Sequence, residues 1–197
     1  MGSVLVIGGG AAGLAAAIAA AECGDTVTVT EKMDRVGKKI LATGNGRCNL
    51  MNTGAPRYPG NAAFAADVLS HCGAEAQKAF WEHLGLRLRQ EEAGRVYPVS
   101  SQASSVLDAL RLQLTALHVR VVTGVSITAL HRENDGWTAL SADGQQFRAN
   151  RVIISGGGCA QPKLGSDGSA LRLLTNLGCP ATTFAPALTQ IITDSTP

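Results

Sequence analysis

Ser3-Val4-Leu5-Val6-Ile7-Gly8-Gly9-Gly10-Ala11-Ala12-Gly13 decides the fold of this chain. Its first five residues form a short apolar, largely β-branched run of the kind buried on both faces of a parallel sheet. The glycines that follow satisfy Gly-x-Gly-x-x-Gly, a weak signal alone. Context strengthens it. The alanine-rich stretch Ala11 to Cys23 has good helix propensity and stops before Gly24, where a helix C-cap belongs. Thr26-Val27-Thr28-Val29-Thr30 then alternates as a second strand, and Glu31 ends it 18 residues after Gly13. Strand, tight turn, helix, strand and terminal acid open a Rossmann-like α/β fold with a parallel sheet.

Each position in this unit has a physical task. Gly8 permits the tight turn, Gly10 removes a side chain that would block a pyrophosphate, and Gly13 lets helix and strand touch. The backbone of Ala11 and Ala12 opens the helix, whose unsatisfied N–H groups and positive dipole end attract phosphate. Glu31 accepts hydrogen bonds from ribose hydroxyls and repels a 2′-phosphate, so FAD or NAD is expected over NADP.

Val4 to Ala21 carries no charge, but no basic segment precedes it and three glycines interrupt it. It is read as a buried strand and helix and not as a membrane span or signal peptide. A net charge of +2 without a lysine or arginine run leaves no footprint for nucleic acid or an anionic membrane. The partner expected is a small-molecule substrate. The five cysteines show no Cys-x-x-Cys spacing, so neither a zinc site nor a disulfide framework is indicated, and a reducing cytoplasm is expected. Oligomeric state is not legible.

Further along, residues 32–59 read as one long irregular loop, residues 61–84 as two helical pieces split near Gly73, and residues 86–98 as a short strand pair. Apolar spacing at Val106, Leu107, Leu110, Leu114 and Leu117 predicts a helix over 101–117. Runs at 119–122, 125–131, 137–142 and 145–148 predict one strand of the main sheet followed by an antiparallel β-meander. Arg151 to Ser155 returns as a buried strand, and Asp167 caps a helix over about 168–177.

Three stretches beyond the fingerprint carry a resemblance. Gly37-Lys38-Lys39-Ile40-Leu41-Ala42-Thr43-Gly44-Asn45-Gly46-Arg47-Cys48-Asn49-Leu50-Met51-Asn52 is the first, and Gly94-Arg95-Val96-Tyr97-Pro98-Val99-Ser100 the second. The third runs from Gly156-Gly157-Gly158 through Gly165-Ser166-Asp167-Gly168 to Pro186-Ala187-Leu188. Together they resemble the aminoacetone oxidase family of NAD(P)/FAD-dependent oxidoreductases, which includes flavoproteins linked to bile-acid dehydroxylation. The resemblance implies FAD as cofactor, with Lys32 by the adenosine. It places Lys39, Thr43, Gly44, Gly46, Arg47, Cys48 and Asn49 near pyrophosphate and flavin. It also implies Val125 against the adenine through its backbone, and Gly156 and Gly157 close to the adenosine.

Ala160, Met51 and Ala170 depart from the family's serine, threonine and aromatic residue at those positions. Family members run to roughly double this length. The resemblance therefore makes residues 1–197 the N-terminal portion of an FAD/NAD(P)-binding domain, with a helical excursion at about 60–118. A substrate domain and a C-terminal return strand are expected after about 188 and have no counterpart in the chain.

Among single residues, Cys48 beside Arg47 is a candidate low-pKa thiol or, more simply, a small residue fitted against the cofactor. His71, His83, His118 and His131 share no ligand spacing. No serine, cysteine or carboxylate catalytic set is visible, which fits chemistry carried by a cofactor. The reading is an FAD-dependent oxidoreductase module for a small amine or ketone-type substrate. A non-catalytic nucleotide-binding remnant, an NAD-binding dehydrogenase half and a tRNA-modifying flavoprotein are the alternatives.

Overall fold

The computed structural model describes residues 1–58 and 60–185, so Pro186-Ala187-Leu188 lies outside the described residues. Four parallel strands build the main sheet in the order β10-β1-β2-β6: β1 is Ser3–Ile7, β2 Thr26–Glu31, β6 Arg120–Thr123 and β10 Arg151–Ile154. The first crossover is α1, Ala11–Glu22. Gly24 sits just past its end with φ +89°, a value glycine adopts without strain.

Alternation along β1 sorts its side chains into two cores. Val4 and Val6 face a cluster with Leu14 and Ile18 of α1 and with Val106, Leu107, Leu110 and Leu114 of α5, Ala103–Ala116. Leu5 and Ile7 face the other way, into a cluster with Ile127, Leu130, Ala139 and Phe147. Those residues belong to an antiparallel meander of β7 (Ile127–Glu133), β8 (Gly136–Ser141) and β9 (Gln146–Ala149). The sheet is thus covered on both faces at β1, which is why that strand reads as an apolar run. Complete burial of Leu5, Leu14, Ile18 and Leu110 contributes about 1.5–3 kcal/mol each.

The excursion holds α3 (Ala62–His71), capped by Asn61 Oδ1 accepting from Phe64 N at 3.0 Å, and α4 (Ala74–His83). A second antiparallel sheet has the order β3-β5-β4, with β3 at Met51–Asn52, β4 at Leu88–Gln90 and β5 at Arg95–Pro98. The sequence reading foresaw β4 and β5 but not β3.

The expectation of one irregular loop over 32–59 needs correction. A short helix α2 (Lys38–Ala42) and β3 lie within it. Gly37, at φ +73°, packs so tightly on Leu107 that a Cβ there would stand 2.3 Å from its Cδ1, and Ile40 is buried in the α1/α5 core. The final helix, α6, runs Ser169–Asn176. Gly168, left-handed at φ +81°, occupies its cap position, and Asp167 acts one residue earlier by accepting from Ser169 N at 3.0 Å.

Candidate functional site

The turn between β1 and α1 is built by close approach. Gly8 has φ +111°, and a Cβ there would lie 2.8 Å from the backbone of Gly156 at the end of β10. A Cβ on Gly13 would lie 1.9 Å from Gly8 O and 2.5 Å from Ser155 Oγ. Ser155 itself donates to Ile7 O at 3.1 Å and Gly8 O at 3.0 Å, tying β10 to the turn. Gly10 is the opposite case: a Cβ there would meet nothing within 4 Å. It is the extended N-cap residue of α1 and makes no side-chain cap, so the helix start at exposed Ala11 and Ala12 offers its N–H groups to whatever fills that space.

Glu31 aims at the same turn. Its Oε2 accepts from Gly9 N at 2.7 Å and its Oε1 from Met33 N at 2.8 Å, which bridges the tip of the first turn to the chain leaving β2. Each carboxylate oxygen retains a lone pair for a ligand hydroxyl.

Gly8, Gly10, Ala11, Ala12, Glu31, Lys39, Gly156 and Gly157 line one cleft of about 200 Å³. Arg35, Ser155 and Leu164 to Ser166 also line it, and the sequence reading did not single them out. Ser166 stood within a motif already quoted; Arg35 and Ser155 gave no local signal. Lys39 Nζ donates to Ser166 Oγ at 2.5 Å and has no carboxylate partner among the described residues, so its charge is available to an anion. Lys38 differs, pairing with Asp34 at 2.5 Å.

A smaller cavity of about 40 Å³ shares Gly8, Glu31 and Gly156 with the cleft and adds Lys32, Val125, Ser169 and Ala170. Val125 N donates to Glu31 O at 2.9 Å, which holds its backbone beside the end of β2. Lys32 Nζ holds Asp167 at 2.5 Å and donates to Ser169 Oγ at 3.0 Å. The hydrogen bond from Lys32, then those from Ser169, keep the Asp167 carboxyl well below its ordinary value. Asp167 is therefore held as an ion-paired cap, unsuited to proton abstraction at neutral pH.

Thr43, Gly44, Gly46, Arg47, Cys48 and Asn49 lie apart from both cavities, in the turn after α2. Thr43 Oγ1 donates to Ile40 O at 2.7 Å, and Arg47 pairs with Glu91. Gly44 passes so close to Asn49 N that a Cβ would approach to 2.8 Å, whereas Gly46 faces open space. Cys48 is buried, and burial pushes its thiol pKa up, which corrects the low-pKa reading: Arg47 spends its charge on Glu91. Thiol titration of the native protein is expected to show exposed Cys23, Cys72, Cys159 and Cys179 reacting quickly and Cys48 only on unfolding. A fifth fast thiol would overturn the buried placement.

The HI0933-like protein Rossmann domain family matches residues 2–185. The chain belongs to this family. A 3-dehydro-bile acid delta(4,6)-reductase of Clostridium scindens is 44% identical over 196 residues, covering 97% of this chain and 47% of the relative. A ribosomal RNA dihydrouridine synthase of Haemophilus influenzae is 25% identical over 188 residues, 89% of this chain and 45% of the relative. The chain thus spans about half the length of the curated relatives it matches.

Solved structures agree on the fold of this HI0933-like domain. The open conformation of a flavocytochrome c3 fumarate reductase superposes with a TM-score of 0.64 at 17% identity, over 89% of this chain and 40% of that one. A 3-ketosteroid-delta4-(5alpha)-dehydrogenase from Rhodococcus jostii gives 0.57 at 18% identity, over 80% and 46%. Among the described residues, no helix is long and apolar enough to cross a membrane.

Proposed function

We propose that this HI0933-like domain is the FAD-binding part of a flavin-dependent oxidoreductase acting on a ketone-conjugated carbon–carbon double bond of an apolar, steroid-like acid. One observation carries the cofactor: empty space over Gly10 at an uncapped helix start, with the Glu31 carboxylate locked beside it. Such a site suits a diphosphate with an adjoining ribose diol, and its negative charge disfavours a 2′-phosphate. Lys39 adds a cation for the phosphates. When bound, the flavin supplies hydride transfer; the chain's own residues bind and orient it.

The substrate class rests on the 44% identical bile-acid reductase, and of the amine and ketone alternatives the reading takes the ketone. Placement with the aminoacetone oxidases rests on the resemblance of the three stretches, above all the Arg47-Cys48-Asn49 loop. A small molecule is favoured over nucleic acid because the net charge is only +2, even though one relative is named for ribosomal RNA. A cytoplasmic location is part of the same proposal.

Titration of the purified chain with FAD, NADH and NADPH tests the cofactor. Saturable binding of FAD in preference to both nicotinamides is expected, and NADH binding without flavin would favour the dehydrogenase alternative. Anaerobic recovery of oxidised flavin absorbance on adding a 3-oxo-4,6-diene bile acid to the reduced protein tests the chemistry. Glu31→Gln is expected to cost about tenfold in FAD affinity, because a neutral amide accepts from only one of the two turn N–H groups and a charged hydrogen bond contributes about 1.5–3 kcal/mol. Unchanged affinity would remove Glu31 from the site.

A further inference from the structure

The register of the main sheet sets up a second concave site toward the opposite ends of its strands from the cofactor cleft. Leu5, Thr28 and Arg120 stand in line across β1, β2 and β6, so all three belong to the face that carries the meander. Cover runs out along this row. Leu5 is buried beneath the meander, Thr28 is half-buried, and Arg120, on the edge strand, is exposed. The meander's own edge strand, β9, supplies the facing wall through Gln146, Phe147 and Arg148. Between the two edges lies a pocket of about 220 Å³ that shares no residue with the cavities around Gly8 and Glu31.

Its lining carries one sign of charge. Arg120 and Arg148 both line it and no acidic residue does. Among the described residues, neither guanidinium pairs with a carboxylate. The nearest acid along the chain, Asp25, is engaged elsewhere, accepting from Gly2 N at 2.8 Å and facing Arg151 at 3.8 Å. Thr26, Thr28 and Gln146 add hydroxyl and amide donors to the same walls.

Two unpaired guanidiniums with neutral donors between them suit an oxyanion of two charges. A lone carboxylate would leave one cation uncompensated, whereas a phosphate group meets both. The volume falls below the roughly 300–1,000 Å³ of pockets that enclose drug-sized ligands, which favours a small molecule over a dinucleotide.

We propose that Arg120 and Arg148 hold a phosphate group in this pocket, from inorganic phosphate or a small phosphomonoester, with Thr28 donating to it from the sheet. The site stands apart from the cofactor cleft and does not depend on the flavin reading.

Phosphorus NMR line broadening and thermal melting of the full chain test it, titrating inorganic phosphate and, separately, glycerol 3-phosphate against chloride of equal ionic strength. The cofactor cleft also attracts phosphate, so the titrations use a Gly10→Asp background, whose added carboxylate closes the start of α1 to anions. Saturable binding and a rise in melting temperature are expected there with phosphate and not with chloride. Arg120→Gln and Arg148→Gln each weaken binding about tenfold, and the double variant abolishes it. Arg120→Lys, which keeps the charge, retains part. Both positions are exposed, so the melting temperature without phosphate is expected to stay unchanged, which separates lost binding from lost folding. Tighter binding of glycerol 3-phosphate than of phosphate supports a phosphomonoester as occupant, and the reverse supports the inorganic ion. A response that chloride reproduces, or phosphate binding that survives in the double variant, overturns the site.

Discussion

Gly13→Ala lowers the melting temperature of this domain by about 6 °C and removes the proposed nucleotide affinity. Two effects oppose each other at this position. Alanine in a helix interior gains about 1 kcal/mol over glycine in propensity. Against that, the new Cβ would stand 1.9 Å from Gly8 O and 2.5 Å from Ser155 Oγ. A backbone carbonyl in a turn already fixed by Gly8 N donating to Thr30 O at 2.8 Å cannot swing aside as a flexible side chain does. Overpacking of this kind costs about 3 kcal/mol. The clash therefore wins, and at roughly 2–4 °C per kcal/mol for a chain of this size the loss is readily measured by calorimetry. Relief requires α1 to move off the sheet, which also displaces the helix start that faces the cleft. A melting temperature equal to or above that of the parent would mean that helix and turn do not touch.

The same geometry explains what was legible in the sequence. Gly8, Gly10, Gly13 and Glu31 lie within one local βαβ unit whose spacing is set by backbone geometry, so their arrangement follows from sequence order alone. The alternation of Thr26 to Thr30 and the apolar spacing of α5 likewise report burial that each element undergoes on its own. The misses have the opposite character. Helix α2 is five residues long, too short for a 3.6-residue period to show, and is set by Gly37 against Leu107, 70 positions away. Strand β3 is two residues paired with Arg95 and Val96, and no pattern of two residues announces a strand. Ser155 lines the cleft because β10 returns beside β1, and Arg35 because the irregular segment leaving β2 turns back over it. For Arg47 the sequence marked the position as notable, and its Glu91 partner, 44 residues on, decides which way it points.

Gly10→Asp separates the site from the fold, because the two are expected to change in opposite directions. Gly10 has φ −82° and ψ −176°, extended backbone open to any residue, and a Cβ added there meets nothing within 4 Å. Aspartate is among the best N-cap residues, and its carboxylate at the positive end of α1 accepts from first-turn N–H groups that no side chain satisfies now. Stability should therefore rise by about 0.5–1 kcal/mol. That same carboxylate occupies the volume and consumes the donors that the proposed diphosphate would use, and it brings a like charge against it at contact distance. Loss of even two charged hydrogen bonds, about 1.5–3 kcal/mol each, lowers FAD affinity more than a hundredfold. Thermal melting and flavin titration of one protein preparation read both effects. A variant that melts higher and still binds FAD would place the cofactor elsewhere. One that melts lower would show that the space over Gly10 is already filled by the protein itself.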